Sequence, residues 1–249
     1  MHAEIRYFLA AIQILTRLPV PHFDGFADEW MERGVKYFPL TGALVGALCA
    51  AILLGTSTIW SGPLPALLTV AAGIAITGGM HEDGFADFFD AMGGSTREQR
   101  LAIMKDSRLG TYGVLALGAG IAIKVFALAA LPMATGAASL VAAHAGGRLA
   151  TVGVIAKLPY SGGIAAAKIK PLGHGITPAD LAIAVGFGVF PLLLLPGRVA
   201  LPAFFAAVFA AALAASSARR LIGGYTGDVL GAVEQTYEIA FLLGAAACA

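Results

Sequence analysis

Charged residues are the scarcest class in this chain. Lys, Arg, Asp and Glu together make up 12% of its 249 residues, against about a quarter in an average soluble domain. Hydrophobic residues reach 58%, and the mean hydropathy is +0.82. So little charge and so much apolar side chain are typical of a polytopic membrane protein.

Cysteine is almost absent as well. Cys49 and Cys248 lie in apolar segments at no metal-ligand spacing, which excludes a disulfide framework and a zinc site. The net charge of +1 excludes a nucleic-acid footprint. We expect no cleavable signal, because Glu4 and Arg6 interrupt the first apolar run.

Long apolar runs are what the chain does have. A helix needs about 20 apolar residues to cross the hydrocarbon layer, and runs near that length occur at 38–59, 64–80, 111–133, 135–156, 181–196, 199–216 and 239–249. They predict an all-α fold, a polytopic transmembrane bundle of about six to seven spans in one integral membrane domain over 1–249. Residues 1–16 predict an amphipathic helix lying in the interface, within an interfacial segment 1–36.

The polar segments 81–110, 157–180 and 217–238 fall on one face of this topology, because an even number of crossings precedes each. Nearly all basic residues share that face; Lys124 and Arg148 lie within spans and Arg198 lies opposite. By the positive-inside tendency the face is cytoplasmic. We therefore expect a cytoplasmic (inner) membrane protein with its active site on the cytoplasmic face, in contact with membrane lipid; a homo-oligomer is left open.

Three aspartates are the most informative feature. Asp83, Asp87 and Asp90 fall at i, i+4 and i+7 after a glycine-rich bend, so on a helix they share one stripe within about 40°. Like charges so arranged repel unless a cation lies between them, and Mg²⁺ prefers such oxygen ligands. The stripe predicts a magnesium site acting on phosphates. Glu82 points about 100° away and is a candidate general base or supporting group; His81 is either a hydrogen-bonding interfacial residue or a base.

A basic segment follows the stripe. Lys105 and Arg108 are three residues apart and suit phosphate oxygens, Ser107 could add a hydroxyl donor, and the glycine-rich start of the next span at 110–113 offers backbone amides to an anion. The other interpretation is that these bases anchor the chain to lipid head groups.

Two basic residues lie within spans. Arg148 would need a partner or a substrate there, unless it reaches the surface, and His144 lies on the same helix face. Lys124 is deeper and its partner cannot be named.

The last polar segment begins with a glycine-permissive bend and Asp228, followed by Glu234 and Glu238 four residues apart. A second acidic helix facing the first would complete a divalent-metal site. A re-entrant turn with exposed acids is the alternative.

The chain resembles the cobalamin synthase family, the adenosylcobinamide-GDP ribazoletransferases. The resemblance runs along most of the length in five motifs: 15–21 (LTRLPVP), 37–42 (YFPLTG), 79–87 (GMHEDGFAD), 103–113 (IMKDSRLGTYG) and 223–228 (GGYTGD). In that family the residue between His81 and Asp83 is more often apolar, which weakens the case for Glu82 as a shared base.

The resemblance implies an integral membrane enzyme that assembles the nucleotide loop of vitamin B12. It would transfer adenosylcobinamide phosphate from adenosylcobinamide-GDP to alpha-ribazole or its 5'-phosphate, releasing GMP with the help of Mg²⁺. On this basis we assign the metal to Asp83, Asp87 and Asp90, the diphosphate to Lys105, Arg108 and Arg148, and the metal or base role to Asp228.

Two other functions remain open. The Asp-Gly-x-x-Asp core is similar to part of the pattern in CDP-alcohol phosphotransferases, although the alanine-arginine that follows there is absent. A metal-coupled transporter would explain charged residues within spans, but the acids crowd one face and not the midplane.

Overall fold

The protein is a bundle of α-helices. This computed structural model describes residues 3–21, 28–162 and 176–249. Its helices are α1 (Ala3–Leu15), α2 (Asp28–Gly34), α3 (Phe38–Thr56), α4 (Leu64–Thr77), α5 (Met80–Asp90), α6 (Arg97–Lys105), α7 (Thr111–Ala130), α8 (Met133–Lys157), α9 (Pro178–Val189), α10 (Gly197–Ile222) and α11 (Gly227–Cys248). Short 3-10 turns occupy Val35–Tyr37, Ala91–Gly93 and Phe190–Leu194. The all-α prediction is confirmed, since the described residues form no strand beyond an isolated bridge between Tyr160 and Tyr225.

Four segments are long and apolar enough to cross a membrane: Glu32–Thr56, Thr111–Ala130, Met133–Lys157 and Gly197–Ile222. Helices α4 and α5 would make a fifth if they form one bent span. The membrane character is thus supported, while the expected six to seven spans are not confirmed. The remaining apolar segment Pro178–Leu194 is shorter.

Helix α8 lies at the centre and α10 at the periphery. In the most apolar stretch of α8, 72% of the residues are buried, whereas in that of α10 only 28% are. The exposed side chains of α10 include Leu201, Phe205 and Phe209, as expected for a helix that faces lipid. Helices α3 and α11 both pack on α8, so these three form the core of the bundle.

Two glycines let α3 approach α8 at backbone distance. A Cβ at Gly42 would lie 2.3 Å from the carbonyl oxygen of His144, and one at Gly46 would lie 2.6 Å from that of Leu140. The spacing Gly-x-x-x-Gly places both on one helix face, a common arrangement where membrane helices pack tightly. Small residues therefore bring α3 against the segment of α8 that carries Arg148.

The end of the chain forms the acidic helix predicted there, and its two glutamates are buried. Helix α10 continues to Ile222 and α11 begins at Gly227, so the polar segment 217–238 is mostly helix and its turn is short. Glu234 and Glu238 are 0% and 1% exposed, and they lie inside the bundle and not in a cytoplasmic loop. The segment 157–180 falls partly outside the described residues, at 163–175.

The N-terminal helix packs along one side. Its buried residues Ala10, Ala11, Ile12 and Leu15 lie in its second half, and the predicted position of this helix in the membrane interface stays a prediction. Buried Lys36 binds Glu4 of this helix at 2.9 Å and Asp180 of α9 at 3.3 Å. This ion pair network ties α1 to α9.

Replacing Gly46 by alanine should destabilise the bundle. The added methyl would meet the α8 backbone, and overpacking of this kind costs about 1–3 kcal/mol. Gly55 is the matched control, because it lies in the same helix and a methyl added there would have nothing within 4 Å, and Gly55→Ala should change stability by at most about 0.5 kcal/mol. Thermal unfolding of both variants in detergent tests this. Equal stability of the two would show that α3 and α8 are not in close backbone contact.

Candidate active site at the end of α5 and α11

A sharp bend separates α4 from α5. Gly78 ends α4 and Gly79 begins α5, both with φ of 71°, a left-handed conformation that side chains other than glycine adopt at a cost. The two helices consequently meet at 92°. Helix α5 therefore runs across the direction of α4, and its Asp83 is exposed.

Helix α11 packs directly on α5. A Cβ at Gly84 would lie 2.8 Å from the Cα of Asp228, and a Cβ at Gly231 would lie 2.9 Å from the carbonyl oxygen of His81. Only glycine allows this approach on both helices. The contact brings Asp228, at the first turn of α11, beside the aspartates of α5.

Three carboxylates therefore lie at the contact of α5 and α11: Asp83, Asp87 and Asp228, here called the boundary acids because we expect them at the membrane boundary. Asp83 is exposed and the other two are half-buried. Burial, followed by the charges of Asp83, Asp228 and Asp90, raises the pKa of Asp87 to about 7. Every one of these electrostatic contributions comes from an acid, so the group of carboxylates has an excess of negative charge.

The donor set fits a hard divalent cation. Carboxylate oxygens are the ligands that Mg²⁺ takes, usually one or two from the protein with water or substrate phosphate completing the octahedron. The boundary acids are nevertheless not drawn together into a closed sphere: among the described residues, the only histidine and acidic ligand atoms that cluster within 4.8 Å are those of His144, Glu234 and Glu238. An open arrangement leaves room for substrate oxygens.

Asp90, the third predicted stripe residue, has a different environment. Its Oδ2 accepts a hydrogen bond from the Gly110 amide at 2.7 Å, and its Oδ1 accepts one from the Gly113 amide at 2.8 Å. The backbone amides that we expected to bind a substrate anion at the start of α7 thus bind Asp90. Its predicted role as a metal ligand is still a prediction, and its observed role is to join α5 to α7.

The basic segment lies next to the boundary acids. Met104 of α6 contacts the hydroxyl of Thr226 at 3.9 Å, and Thr226 in turn binds Asp228 at 3.3 Å. Lys105 follows Met104 and is exposed, with no ion pair to any described residue. The ammonium group of Lys105 is therefore available to bind an anion.

Arg108 does not share a helix face with Lys105 as predicted. Helix α6 ends at Lys105 and Asp106 is extended, so Arg108 lies in the loop. Its side chain is 88% exposed and binds Asp106 at 2.6 Å. Ser107 is exposed beside it. Both remain candidates for phosphate contact, with Arg108 already neutralised by Asp106.

The turn that carries Asp228 is held by its neighbours. The Tyr225 amide donates to Pro159 at 2.9 Å, and the Ser161 amide donates to Tyr225 at 2.8 Å. Arg97 Nε donates to the carbonyl oxygen of Ile222 at 2.7 Å. These contacts from α6 and the end of α8 fix the turn before α11.

Arg148 lies inside the bundle, away from the basic segment. It is 1% exposed, and its Nη1 contacts Glu234 Oε1, Glu238 Oε1 at 2.5 Å and His144 Nδ1 at 2.8 Å. The sequence analysis required a partner or a substrate for Arg148, and the structure supplies two glutamates of α11. Its predicted contact with the diphosphate is untested, and this position does not favour it.

The same glutamates bind Lys124, whose partner the sequence did not reveal. Its Nζ donates to Glu238 Oε2 at 2.6 Å and to Gln235 Oε1 at 3.0 Å. Gln235 Nε2 then donates to Glu82 Oε1 at 2.9 Å. We call the connected set the interior cluster; its members are Glu82, Lys124, His144, Arg148, Glu234, Gln235 and Glu238.

Glu82 belongs to this cluster and not to the boundary acids. It is buried, with its second oxygen lacking a hydrogen-bond partner, and it borders a cavity of about 20 Å³ shared with Lys124 and Gln235, which is room for one water. His81 is also buried, with Nδ1 unpartnered. Neither side chain lies on the exposed face of α5, where a substrate would meet Asp83.

The compact trio His144, Glu234 and Glu238 has metal-like spacing, but it already holds a cation. Arg148 Nη1 contacts all three ligand atoms. A guanidinium nitrogen thus takes the place that an ion would need. We interpret the trio as an ion-pair network and not as a metal site.

Sequence reasoning missed Gln235 and the grouping of the cluster. The available signal was helical spacing: Glu234, Gln235 and Glu238 lie within two turns of α11, and His144 and Arg148 are four apart on α8. Polar groups at such spacing inside apolar helices need partners on neighbouring helices. Which helices are neighbours is not visible from the spacing.

Comparisons with known proteins find relatives that match nearly the whole chain. The family model described as cobalamin-5-phosphate synthase matches residues 7–246. A relative from Leptothrix cholodnii, named adenosylcobinamide-GDP ribazoletransferase, is 41% identical over 97% of this chain and 95% of its own length. Proteins with the same name from Shewanella baltica and Shewanella oneidensis are 39% and 40% identical over 96% of this chain and 92% of their own. No solved structure matches the chain significantly.

Arg148→Met should destabilise the fold. Removal of the guanidinium leaves two buried glutamates without their main counter-charge, and breaking a buried ion pair in this way costs about 3–5 kcal/mol. Arg198→Met, an exposed arginine at the other end of the bundle, is the control and should melt like the wild type in detergent. A stable Arg148→Met protein that binds substrate poorly would instead restore the phosphate-binding role predicted from sequence.

Proposed function

The chain belongs to the cobalamin-5-phosphate synthase family, and on that premise we propose that its boundary acids catalyse magnesium-dependent transfer of adenosylcobinamide phosphate. The protein is a transferase of cobalamin synthesis. The finer statement is the proposal: the donor is adenosylcobinamide-GDP, the acceptor is alpha-ribazole or its 5'-phosphate, and the products are GMP and adenosylcobalamin or its 5'-phosphate.

One observation supports this proposal most. Two helices, α5 and α11, bring Asp83, Asp87 and Asp228 together, and burial together with the charges of the neighbouring acids raises the pKa of Asp87. Such an arrangement is costly unless a cation or a polyphosphate with its cation joins it. A bound Mg²⁺ would neutralise the oxygens of the diphosphate and so stabilise the charge that develops on them.

The reaction forms one bond and breaks one. The acceptor hydroxyl attacks the phosphorus next to the cobinamide, the new oxygen–phosphorus bond forms, the bond to the bridging oxygen breaks, and GMP leaves with the electron pair. The hydroxyl proton must go to a base. The boundary acids Asp83, Asp87 and Asp228 are the candidates for this role, and one that does not bind Mg²⁺ would be the better base.

Lys105 supports the donor end of the reaction. Lys105 lies one residue beyond the contact between Met104 and Thr226, and its side chain is exposed. A cation at that place would hold the diphosphate against the charge of the boundary acids. Arg108 and Ser107 are candidates for further contacts from the same loop.

The proposed location of this site is the cytoplasmic face of a bacterial inner membrane. The support is the distribution of basic residues, which concentrate on the face that carries the boundary acids. A polar corrinoid nucleotide could reach such a site from the aqueous phase.

GMP release from adenosylcobinamide-GDP is the decisive measurement. With alpha-ribazole phosphate and Mg²⁺, the purified protein in detergent should release GMP, EDTA should abolish release, and Asp83→Asn should lower it at least about 100-fold because one charge-stabilising ligand is lost. Glu98→Gln, an exposed acid of α6, should act like the wild type. Release that persists in EDTA would contradict the role of Mg²⁺; CMP release from a CDP-alcohol, without GMP release, would favour the phospholipid-type reaction.

Lys105→Ala should weaken binding of the donor more than it slows turnover. Loss of one charge-assisted contact to phosphate should raise the KM for adenosylcobinamide-GDP about tenfold, with kcat changed less. Steady-state kinetics against donor concentration measure this. Arg198→Ala removes a positive charge at the opposite end and should leave KM unchanged; an equal effect of both substitutions would indicate general electrostatic attraction and not a contact.

A further inference from the structure

One face of α11 contacts α5 through three residues, each about one helical turn from the next. Asp228, Gly231 and Gln235 fall at i, i+3 and i+7 and therefore lie on one side of the helix. Asp228 meets Gly84, Gly231 meets His81, and Gln235 binds Glu82 at 2.9 Å. The first two contacts are backbone packing, and the third is a directional side-chain bond.

The hydrogen bonds of Gln235 determine its orientation. Its Oε1 accepts from Lys124 at 3.0 Å, while its Nε2 donates to Glu82 and to Glu234, both at 2.9 Å. A flipped amide would put its NH₂ against an ammonium and its oxygen against two carboxylates. Only one orientation satisfies all three neighbours, so the donor to Glu82 is held in a fixed direction.

The surrounding charges make a neutral amide necessary at this position. Lys124 and Arg148 are basic and Glu82, Glu234 and Glu238 are acidic, and all five side chains are buried. A carboxyl group in place of the amide would add a fourth acidic group, directly between Glu82 and Glu234. An apolar side chain would leave Glu82 without the bond that joins it to α11.

We propose that Gln235 is a positioning residue: through Glu82 it sets the rotation of α5 on α11, and with it the placement of Asp83 and Asp87 opposite Asp228. This inference deepens the function proposed above and rests on it. Lys124 and Glu234 also form hydrogen bonds with Gln235. The interior cluster is therefore connected to the boundary acids through Glu82 of α5.

The physical reason is that Glu82 and Asp83 are adjacent on one helix. Asp83 directly follows Glu82 in the chain, so a turn of α5 that releases Glu82 also moves the Asp83 carboxylate around the helix axis. The bend before α5 consists of two glycines, which resist such a rotation little. The glycine contacts at Gly84 and Gly231 limit the distance between the helices but provide no directional bond.

Mn²⁺ binding, followed by the electron paramagnetic resonance signal of the free ion, tests this without turnover. The full-length protein in detergent should bind Mn²⁺ at the boundary acids, and Gln235→Met, which keeps the size of the side chain and removes its hydrogen bonds, should bind about tenfold more weakly. Tyr237→Phe is the matched control: Tyr237 is buried on the same helix, and its hydroxyl has no hydrogen bond to a described residue. Melting curves check that all proteins are folded.

A reciprocal exchange separates positioning from a loss of stability. Gln235→Glu places carboxyl groups against each other and should weaken Mn²⁺ binding, whereas addition of Glu82→Gln restores the wild-type net charge and the bond between positions 82 and 235, though not the bond to Glu234, and should recover part of the lost binding. A purely structural role of Gln235 would make the double variant no better than the sum of its single changes.

The outcomes are distinct from those of the proposed function. Weaker Mn²⁺ binding by Gln235→Met, with recovery in the exchange, supports the positioning role even if no GMP is released, in which case only the reaction is wrong. Wild-type Mn²⁺ binding by Gln235→Met overturns the positioning role while GMP release leaves the reaction intact. A wild-type protein that binds no Mn²⁺ overturns both the metal site and the positioning role.

Discussion

The contact between Arg148 of α8 and two glutamates of α11 is the interaction around which the bundle is organised. Its guanidinium is 1% exposed, and both Glu234 and Glu238 are almost wholly buried. In an apolar layer none of these charges is tolerable alone. Their pairing fixes the rotation of α8 relative to α11, and the close packing of α3 through Gly42 covers the pair from the other side.

The chemistry proposed for this enzyme lies at the edge of that interior arrangement. Helix α11 carries the interior glutamates in its middle and Asp228 at its start, so a single rigid element spans both regions. Helix α5 joins them a second time, with Glu82 turned inward and Asp83 outward. The buried charged groups join α8 and α7 to α11, and through Gln235 they are connected to α5.

Helical spacing located the acids but not their partners. The spacing of Asp83 and Asp87 placed them on one helix face, and the structure has them on α5 as expected. Asp90, at the same spacing, binds the amides of Gly110 and Gly113 instead, because the start of α7 packs there. Arg148 was assigned to substrate by family resemblance, and its glutamate partners lie 86 and 90 residues further along the chain.

Composition and periodicity by themselves determined the membrane class, the helical architecture, the bend at Gly78 and the presence of an acidic stripe. These features depend on local conformational preferences and on the transfer of apolar runs out of water. Tertiary structure decided which polar groups meet. Whether Glu234 binds a metal or Arg148, and whether Gln235 reaches Glu82, depends on which helices are neighbours and how each is rotated. That choice is made by packing between distant segments, and no local pattern records it.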